Sequence, residues 1–386
     1  MTMDRSISRR TLIASSAAGA VAVAAIAGAG MGTAWAFESP EPLEYKVQDG
    51  ENLWSVQERF GVGWRDIADA SGIDQRACND IEPGTVVRIP QDRIESVMLV
   101  EADDAVLSVD DSAAQIEYLS VPSTTRPEVE IPVRLSLPAE GSGPFPAVVL
   151  NPGHSGTRDF HTLVANALAA AGIATVAMDF PGNGDSSEGW AVQCMTTMVA
   201  DSKDCCHWFM ERDDVDEERM GYFGHSMGGR IGCTVLGSGT SPYRTALLVA
   251  PYAGEGMYLA PAFTGLMDHE SLEGAYEYAL ASGTWPTYGI PLGWEYSPEW
   301  FEDLQRDPSR DLARYTGSLC VLFGGADSIV SPAVARRVLD SATSASKVRG
   351  VFIDVGPHEM GLLEGTPANV ASAAIDRIVD WFIGEL

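Results

Sequence analysis

The sequence is poor in basic residues, and in lysine above all. Lys and Arg number 25 against 54 Asp and Glu, a formal net charge of −29, and only three of the basic residues are lysines, Lys46, Lys203 and Lys347. A nucleic-acid-binding protein needs positive charge to neutralise phosphates. An anionic membrane surface attracts basic patches for the same reason. The charge balance therefore argues against both partners and favours a soluble surface whose acidic groups repel one another.

Cysteine is also scarce, and no motif for a cofactor is present. The six cysteines are Cys78, Cys194, Cys205, Cys206, Cys233 and Cys320. Their spacing matches no zinc site, so no metal or cofactor is expected. Buried thiols acting as small hydrophobic side chains are the simplest explanation, and a disulfide among Cys194, Cys205 and Cys206 is the alternative. A hydrophobic fraction of 45% over 386 residues rules out wholesale disorder and predicts two or three domains.

Residues 1–36 resemble a twin-arginine export signal. The pair Arg9-Arg10 precedes an apolar stretch rich in Ala and Gly, which ends at residues 34–36 in the small-x-small form of a signal-peptidase site. Cleavage there would start the mature chain at Phe37. We therefore expect an extracellular or cell-wall-associated protein with no stable membrane span after cleavage. An uncleaved membrane anchor is the alternative, and the many Ala and Gly residues argue against it.

Residues 45–90 predict a very small module of strand, two helices and strand. Leu53, Val56 and Phe60 have near-helical spacing, and Pro83-Gly84 forms a turn before a short closing strand. The segment resembles a LysM domain. The matching residues are Tyr45, Val47, Gly50, Leu53, Trp54, Phe60-Gly61, Asn79, Ile81, Pro83-Gly84 and Ile89-Pro90.

The LysM resemblance implies binding of N-acetylglucosamine polymers such as peptidoglycan or chitin. It places the groove between the first turn and the loop before the last strand. The residues implied are Gly50, Glu51, Asn52, Leu53, Asn79, Asp80 and Ile81. The groove is unusually acidic, and a single copy lacks the avidity of repeats. A spacer without a ligand is therefore the alternative.

Residues 91–114 are predicted to be a linker, and its apolar residues, which include Val97 and Leu99, also allow it to pack on a neighbour. Residues 115–386 are predicted to be a large α/β domain. Short apolar strands alternate with helices, which indicates a mostly parallel sheet covered on both faces. The predicted strands are 129–137, 146–150, 173–178, 220–223, 246–249, 319–323 and 348–353. The predicted helices are 160–171, 195–212, 228–237, 332–341 and 367–384.

The motif Gly224-His225-Ser226-Met227-Gly228 lies between a predicted strand and a predicted helix. This is G-x-S-x-G in the context of a nucleophile elbow, a turn too tight for side chains at its two glycines. The turn would expose Ser226 Oγ at the carboxyl end of the strand. The start of the next helix would favour negative charge developing there. Ser226 is therefore the candidate nucleophile.

A serine nucleophile needs a base and an orienting acid, expected in the chain order Ser, Asp, His. After Ser226 the chain has two histidines. His358 follows a predicted strand, whereas His269 lies in a mid-chain insert. Asp327 follows the preceding predicted strand. We therefore assign His358 as general base and acid and Asp327 as its carboxylate, with Asp354 as the alternative acid.

An oxyanion hole needs two backbone N–H groups. One is expected from Met227, directly after the nucleophile. The other is expected from His154, in the loop Asn151-Pro-Gly-His-Ser-Gly156 after an early strand. The ring of His154 either faces the substrate or is an ordinary surface group.

These motifs make the large domain similar to the α/β-hydrolase superfamily. The segment Asp179–Ser186 matches that family's DxxGxGxS loop. The nearest subgroups in pattern are cinnamoyl esterases and serine aminopeptidase-like hydrolases. The resemblance implies a cap insert at about 254–316, which with its approach is rich in large side chains: Tyr252, Met257, Tyr258, Phe263, Trp285, Tyr288, Trp294, Tyr296 and Trp300. They form either an apolar acyl pocket or a small cap core.

The resulting hypothesis is an exported serine hydrolase that cleaves small-molecule carboxylic esters through an acyl-enzyme. LysM would tether it to peptidoglycan or a related glycan. One alternative is a serine peptidase or amidase acting on small peptides with the same residues. Another is a catalytically silent glycan-binding protein. Acyl transfer or thioester cleavage by the same residues also remains open, because fold does not determine substrate.

Overall fold

The computed structural model describes residues 42–60, 62–90, 94–99, 111–254, 269–286, 294–363 and 367–386. The predicted export signal lies outside the described residues, as do parts of the predicted linker and cap insert. Within the described ranges, no helix has the length and apolar character needed to cross a membrane. No cluster of His, Cys, Asp and Glu in those same ranges is arranged to hold a metal ion. All six cysteines are free.

The N-terminal part folds as strand, two helices and strand, as its sequence predicts. Its elements are β1 (Leu43–Lys46), α1 (Leu53–Phe60), α2 (Trp64–Ser71) and β2 (Val86–Ile89). β1 and β2 are antiparallel, with Leu43 opposite Ile89 and Lys46 opposite Val86. The turn after β1 and the loop before β2 therefore lie at the same end of this two-stranded sheet.

A nine-stranded sheet forms the large domain. Its strands are β3 (Ile94–Val97), β4 (Ala114–Pro122), β5 (Glu130–Pro138), β6 (Phe145–Asn151), β7 (Ala174–Met178), β8 (Val215–His225), β9 (Thr245–Val249), β12 (Ser318–Gly324) and β13 (Lys347–Ile353). The spatial order is β3-β13-β12-β9-β8-β6-β7-β5-β4. In this spatial order, the seven strands from β3 through β13, β12, β9, β8 and β6 to β7 are parallel to one another. β5 is antiparallel to both β7 and β4. Parallel strands end at one edge, which gathers the loops after β6, β8, β12 and β13.

Helices cover both faces of the sheet. They are α3 (Thr162–Ala170), α4 (Met195–Met210), α5 (Met227–Leu236), α8 (Pro332–Ser341) and α9 (Ala368–Glu385). Alternate residues of β6 belong to two hydrophobic clusters: Ala147 and Val149 pack with α4, α5 and α8, and Val148 and Leu150 with α3 and α9. The cap contributes α6 (His269–Ser282), β10 (Trp285–Pro286), β11 (Glu295–Tyr296) and α7 (Pro298–Leu304). Every strand and helix predicted after residue 128 is present.

The prediction that residues 91–114 are a linker is corrected for Ile94–Val97, which are a strand of the large sheet. These four residues form β3, which pairs in parallel with Gly350–Ile353 of β13 at the edge of the sheet. At its other end the segment supplies Ala114, the first residue of β4. Four residues are too few to show strand alternation. They form a strand because the backbone N–H and C=O groups along the free edge of β13 need hydrogen-bond partners.

The N-terminal module packs against the large domain. The ring of Phe60, at the end of α1, lies 5.2 Å from the ring of Phe352 in β13 and 4.9 Å from that of Tyr45. Phe60 is buried, and residues of both parts belong to one hydrophobic cluster. The two parts therefore share core packing.

Phe60→Ala should lower the stability of both parts together, because it removes a ring that both contact. We expect a loss of about 3–5 kcal/mol, seen as an earlier midpoint in denaturant unfolding followed by circular dichroism. Trp54→Ala is the matched control on the same helix, since Trp54 is 46% exposed. A separate early transition with an unchanged main transition would show instead that the parts unfold independently.

Candidate active site

Strand β8 ends in a turn that strains the backbone of Ser226. Ser226 has φ +52° and ψ −109°, and α5 begins at the next residue. A residue with a side chain rarely adopts this φ, at a cost of about 1–3 kcal/mol. A Cβ at Gly224 would collide with the backbone of Gly228, and one at Gly228 with the carbonyl of Asn151. Both motif glycines are therefore required by close backbone approach.

The structure brings Ser226, His358 and Asp327 into one hydrogen-bonded chain. Ser226 Oγ lies 2.9 Å from His358 Nε2, and His358 Nδ1 lies 2.9 Å from Asp327 Oδ2. Ser226 is 2% and His358 7% exposed. An ionised carboxylate only accepts hydrogen bonds, so Asp327 holds a proton on Nδ1 and leaves Nε2 to accept from the serine hydroxyl. This is the arrangement that activates a hydroxyl nucleophile.

Backbone hydrogen bonds join the loops that carry Asp327 and His358. The N–H of Gly325 donates to the carbonyl of Ile353 at 2.9 Å, and the N–H of Ala326 to the carbonyl of Gly356 at 3.1 Å. These bonds fix the separation of the acid and the base.

The two candidate acids occupy different surroundings. Asp327 Oδ1 accepts the backbone N–H groups of Ile329 and Val330, each at 2.8 Å, in addition to its contact with the histidine. Asp354 instead accepts the backbone N–H of Leu99 at 2.8 Å through Oδ1. The geometry therefore favours Asp327 as the orienting carboxylate.

His225 makes a contact with the His358 loop that the sequence did not reveal. Its Nε2–H donates to the carbonyl oxygen of His358 at 3.0 Å. Burial, with a smaller effect of the neighbouring histidines, holds the pKa of His225 well below its usual range. The ring is therefore neutral, with its proton on Nε2. His225 is the second residue of G-x-S-x-G, a position that the motif leaves unspecified.

The segments that carry the two predicted oxyanion donors lie beside Ser226. Met227 is the first residue of α5. The loop after β6 passes beside the nucleophile, since a Cβ on Gly153 would lie 3.4 Å from Ser226 Cβ. The ring of His154 meets the cap, where Nε2 lies 2.9 Å from the hydroxyl of Tyr296. Burial lowers the pKa of His154 to about 3, so this ring is neutral too.

The described cap rings pack on one another around His154. Ring centroids are 4.3 Å apart for Trp190 and Trp294 and 3.9 Å apart for Tyr296 and Trp300. The His154 ring lies 5.1 Å from Trp190 and 4.9 Å from Trp294. These rings form a cap core, which includes Trp190 from outside the predicted insert. The residues Met257, Tyr258, Phe263 and Tyr288 and the side chain of His269 lie outside the described residues.

The predicted glycan-binding residues lie where the turn after β1 meets the loop before β2. The N–H of Leu53 donates to the carbonyl of Cys78 at 2.9 Å, which ties the two segments together. Three of these seven residues have side chains that serve the fold. Leu53 is fully buried, Asn52 Oδ1 accepts backbone N–H groups that open α1, and Glu51 accepts the hydroxyl of Tyr45 at 2.7 Å. Of the other four residues, Gly50, Asn79 and Asp80 are exposed, and Ile81 is half-buried against the core.

His161 is a buried histidine whose titration the fold suppresses. Its ring packs 5.3 Å from His225 and 5.0 Å from Phe223, and within the described structure neither ring nitrogen has a hydrogen-bond partner. Burial lowers its pKa to about 3. An unfolded histidine binds a proton below about pH 6.5. Between pH 6.5 and 3 the unfolded state therefore binds more protons at this site, and stability falls as the pH falls.

His161→Phe should remove this acid sensitivity. We expect the variant to lose about 1.4 kcal/mol less than the wild type for each pH unit well below 6.5. Denaturant midpoints measured between pH 7 and 4.5 test this. His207→Gln, which removes an exposed histidine on α4, is the control. Parallel pH profiles for the wild type and His161→Phe would contradict the assignment.

Sequence comparisons match both parts of the chain to known families. Residues 143–280 match the family described as Serine aminopeptidase, S33, and residues 45–90 match the LysM domain. Two uncharacterized proteins of Mycobacterium tuberculosis are each 26% identical to the chain over 229 residues, which is 59% of this chain and 68% of each relative.

Solved structures with the same fold include two esterases. Est1E of Butyrivibrio proteoclasticus, solved with ferulic acid bound, has a TM-score of 0.56 and 14% identity, covering 69% of this chain and 98% of its own. An esterase of Pyrococcus furiosus has a TM-score of 0.52 and 12% identity, covering 74% and 99%. DcsB, solved with a substrate analogue, has a TM-score of 0.57 and 12% identity, covering 70% and 99%. The chain thus has an N-terminal LysM domain followed by an α/β-hydrolase domain that matches the serine aminopeptidase S33 family.

Proposed function

We propose that the protein is an exported serine hydrolase that cleaves carboxylic esters and is held on peptidoglycan, or a related N-acetylglucosamine glycan, by its LysM domain. The hydrogen-bonded chain from Ser226 Oγ through His358 to Asp327 carries the catalytic part of this proposal. The export part rests on the N-terminal sequence pattern, and the glycan part on the LysM match.

The proposed reaction forms and then hydrolyses an acyl-enzyme. His358 Nε2 takes the proton of Ser226 Oγ as that oxygen attacks the ester carbonyl carbon. The carbonyl electron pair moves to oxygen, where backbone N–H groups of Met227 and His154 stabilise the charge. The bond to the leaving alkoxide breaks as His358 protonates it. Water deprotonated by His358 then attacks the acyl group, and the acid departs as Ser226 regains its proton.

Buried neutral groups around Ser226, His358 and Asp327 favour the positive charge that forms on His358 during the reaction. The neighbouring rings of His154 and His225 carry no charge, because burial lowers the pKa of each. The imidazolium that forms on His358 therefore meets no competing cation from these two rings. Its counter-charge is Asp327, whose side chain is completely buried. A low-dielectric setting strengthens this attraction.

Ester cleavage is favoured over amide cleavage by the two esterases that share the fold. The S33 match favours the second candidate, a peptidase or amidase that acts on small peptides through the same three residues. An amide nitrogen leaves less readily than an alkoxide. The two candidates therefore differ in their turnover of matched ester and amide substrates.

A substrate panel with active-site variants tests the proposed chemistry. Mature wild-type protein should hydrolyse p-nitrophenyl acyl esters or hydroxycinnamate esters faster than aminoacyl amides, and a fluorophosphonate should label it. Ser226→Ala should lose both properties. Asp327→Asn should lower kcat by about 10⁴-fold, because the histidine loses its orienting charge.

Ser238→Ala, at the other end of α5, is the matched serine control and should retain full activity. Faster turnover of the amides would support the peptidase candidate. Neither labelling nor turnover of any substrate by the wild type would contradict the enzyme proposal and leave a silent glycan-binding protein.

Glycan binding is proposed at the loop end of the LysM sheet. Asn79→Ala combined with Asp80→Ala should weaken co-sedimentation with purified peptidoglycan by severalfold, since both residues lie in the loop before β2. Glu44→Gln is the matched control, because Glu44 pairs with Arg88 at the opposite end of that sheet. Ester turnover should be unchanged in both variants. Equal sedimentation of all three proteins would contradict this site.

A further inference from the structure

We propose that residues 94–99, here called the β3 arm, position the catalytic loop that carries His358, through a contact with Asp354. The inference rests on the proposed function, because it assigns a role in that reaction. In this role the segment is a supporting part of the catalytic domain as well as the connection between the domains.

The β3 arm extends beyond the end of β13 and lies beside the turn that leads from β13 to His358. After the strand pairing stops, the backbone N–H of Asp354 donates to the carbonyl of Val97 at 3.2 Å. The N–H of Leu99 donates back to Asp354 Oδ1 at 2.8 Å. The arm therefore binds Asp354 through both its main chain and its side chain.

Asp354 begins the short turn that ends in the catalytic histidine. The turn is closed by a hydrogen bond from the N–H of Gly356 to the carbonyl of Ile353 at 3.0 Å. His225 holds the carbonyl of His358 at the other end of the turn, and the N–H of Ala326, from the loop that carries Asp327, holds the carbonyl of Gly356. At the start of the turn, the N–H of Gly325 donates to the carbonyl of Ile353 at 2.9 Å, and the β3 arm adds the two contacts to Asp354 itself.

Charged side chains anchor the start of the arm. Glu95 forms ion pairs with Arg349 in β13 and with Arg377 in α9, the latter at 3.1 Å. All three side chains are about one-third exposed, so solvent screens these pairs, and their value is mainly in fixing the register of the strand. Ion pairs and strand pairing therefore hold the start of the arm, and the hydrogen bonds with Asp354 hold its end.

Displacement of this turn would act directly on the reaction. His358 Nε2 must stay within hydrogen-bonding distance of Ser226 Oγ, now 2.9 Å away. A misplacement of about 1 Å in a catalytic group costs up to about 100-fold in rate. Asp354 is therefore a positioning residue, which acts through His358 without touching the substrate.

Asp354→Ala and Asp354→Asn form the decisive pair of variants in the full mature chain. Alanine removes the acceptor for the Leu99 N–H, whereas asparagine keeps an oxygen there. We expect kcat on the best ester of the panel to fall about 10- to 100-fold in Asp354→Ala with KM within twofold. Asp354→Asn should restore kcat to within about threefold of the wild type. Fluorophosphonate labelling rates should follow kcat.

Two further variants separate positioning from general stability. Leu99→Pro removes the donor of the same hydrogen bond and should reproduce the kcat loss of Asp354→Ala. Lys347→Gln breaks the 2.5 Å ion pair with Glu385 at the opposite end of β13 and should leave kcat unchanged. Amide hydrogen exchange at residues 355–361 should be faster in Asp354→Ala than in Lys347→Gln.

An active wild type with equal kcat in Asp354→Ala and Asp354→Asn would overturn the positioning role alone. Equal loss of kcat in Lys347→Gln and Asp354→Ala would overturn it as well, because the effect would then be general destabilisation. A wild type that is neither labelled nor active would overturn the proposed function, and this inference with it.

Discussion

A serine held at φ +52° in a turn too tight for side chains is the constraint on which the catalytic domain depends. The turn cannot relax, because its backbone is bonded on both sides. The N–H of Ser226 donates to Val249 in the neighbouring strand, and the carbonyl of Ser226 accepts from Tyr252, each at 2.9 Å. The hydroxyl of Tyr222 also donates to the carbonyl of Gly228 at 2.7 Å. The parallel sheet thus maintains the strain that exposes the nucleophile to its base.

Most of the fold and the triad geometry could be predicted because their signals are local. A run of apolar residues predicts each buried strand, and G-x-S-x-G between strand and helix needs no distant partner to be recognised. Asp327 and His358 follow from strand order, because parallel strands end at one edge. The missed features depend on residues far apart in the chain. The bond between Leu99 and Asp354 spans 255 positions, and that between His154 and Tyr296 spans 142.

The connection between the two domains is more ordered than the linker that its sequence predicts. The acidic residues of the segment are typical of a linker, whereas its apolar residues allow it to pack on a neighbour. In the structure, β3 completes the edge of the hydrolase sheet, and Phe60 packs on Phe352. In this arrangement a glycan bound by LysM would be held in a set position relative to the catalytic domain.

The role of Ser226 as the nucleophile can be tested by the structure of the protein after reaction with a fluorophosphonate. We expect a phosphonyl group bonded to Ser226 Oγ, with its phosphoryl oxygen accepting hydrogen bonds from the backbone N–H groups of Met227 and His154. His358 Nε2 should face the remaining ester oxygen. A phosphonyl group on another residue, or one on Ser226 whose oxygen points away from both N–H groups, would contradict the proposed catalytic arrangement.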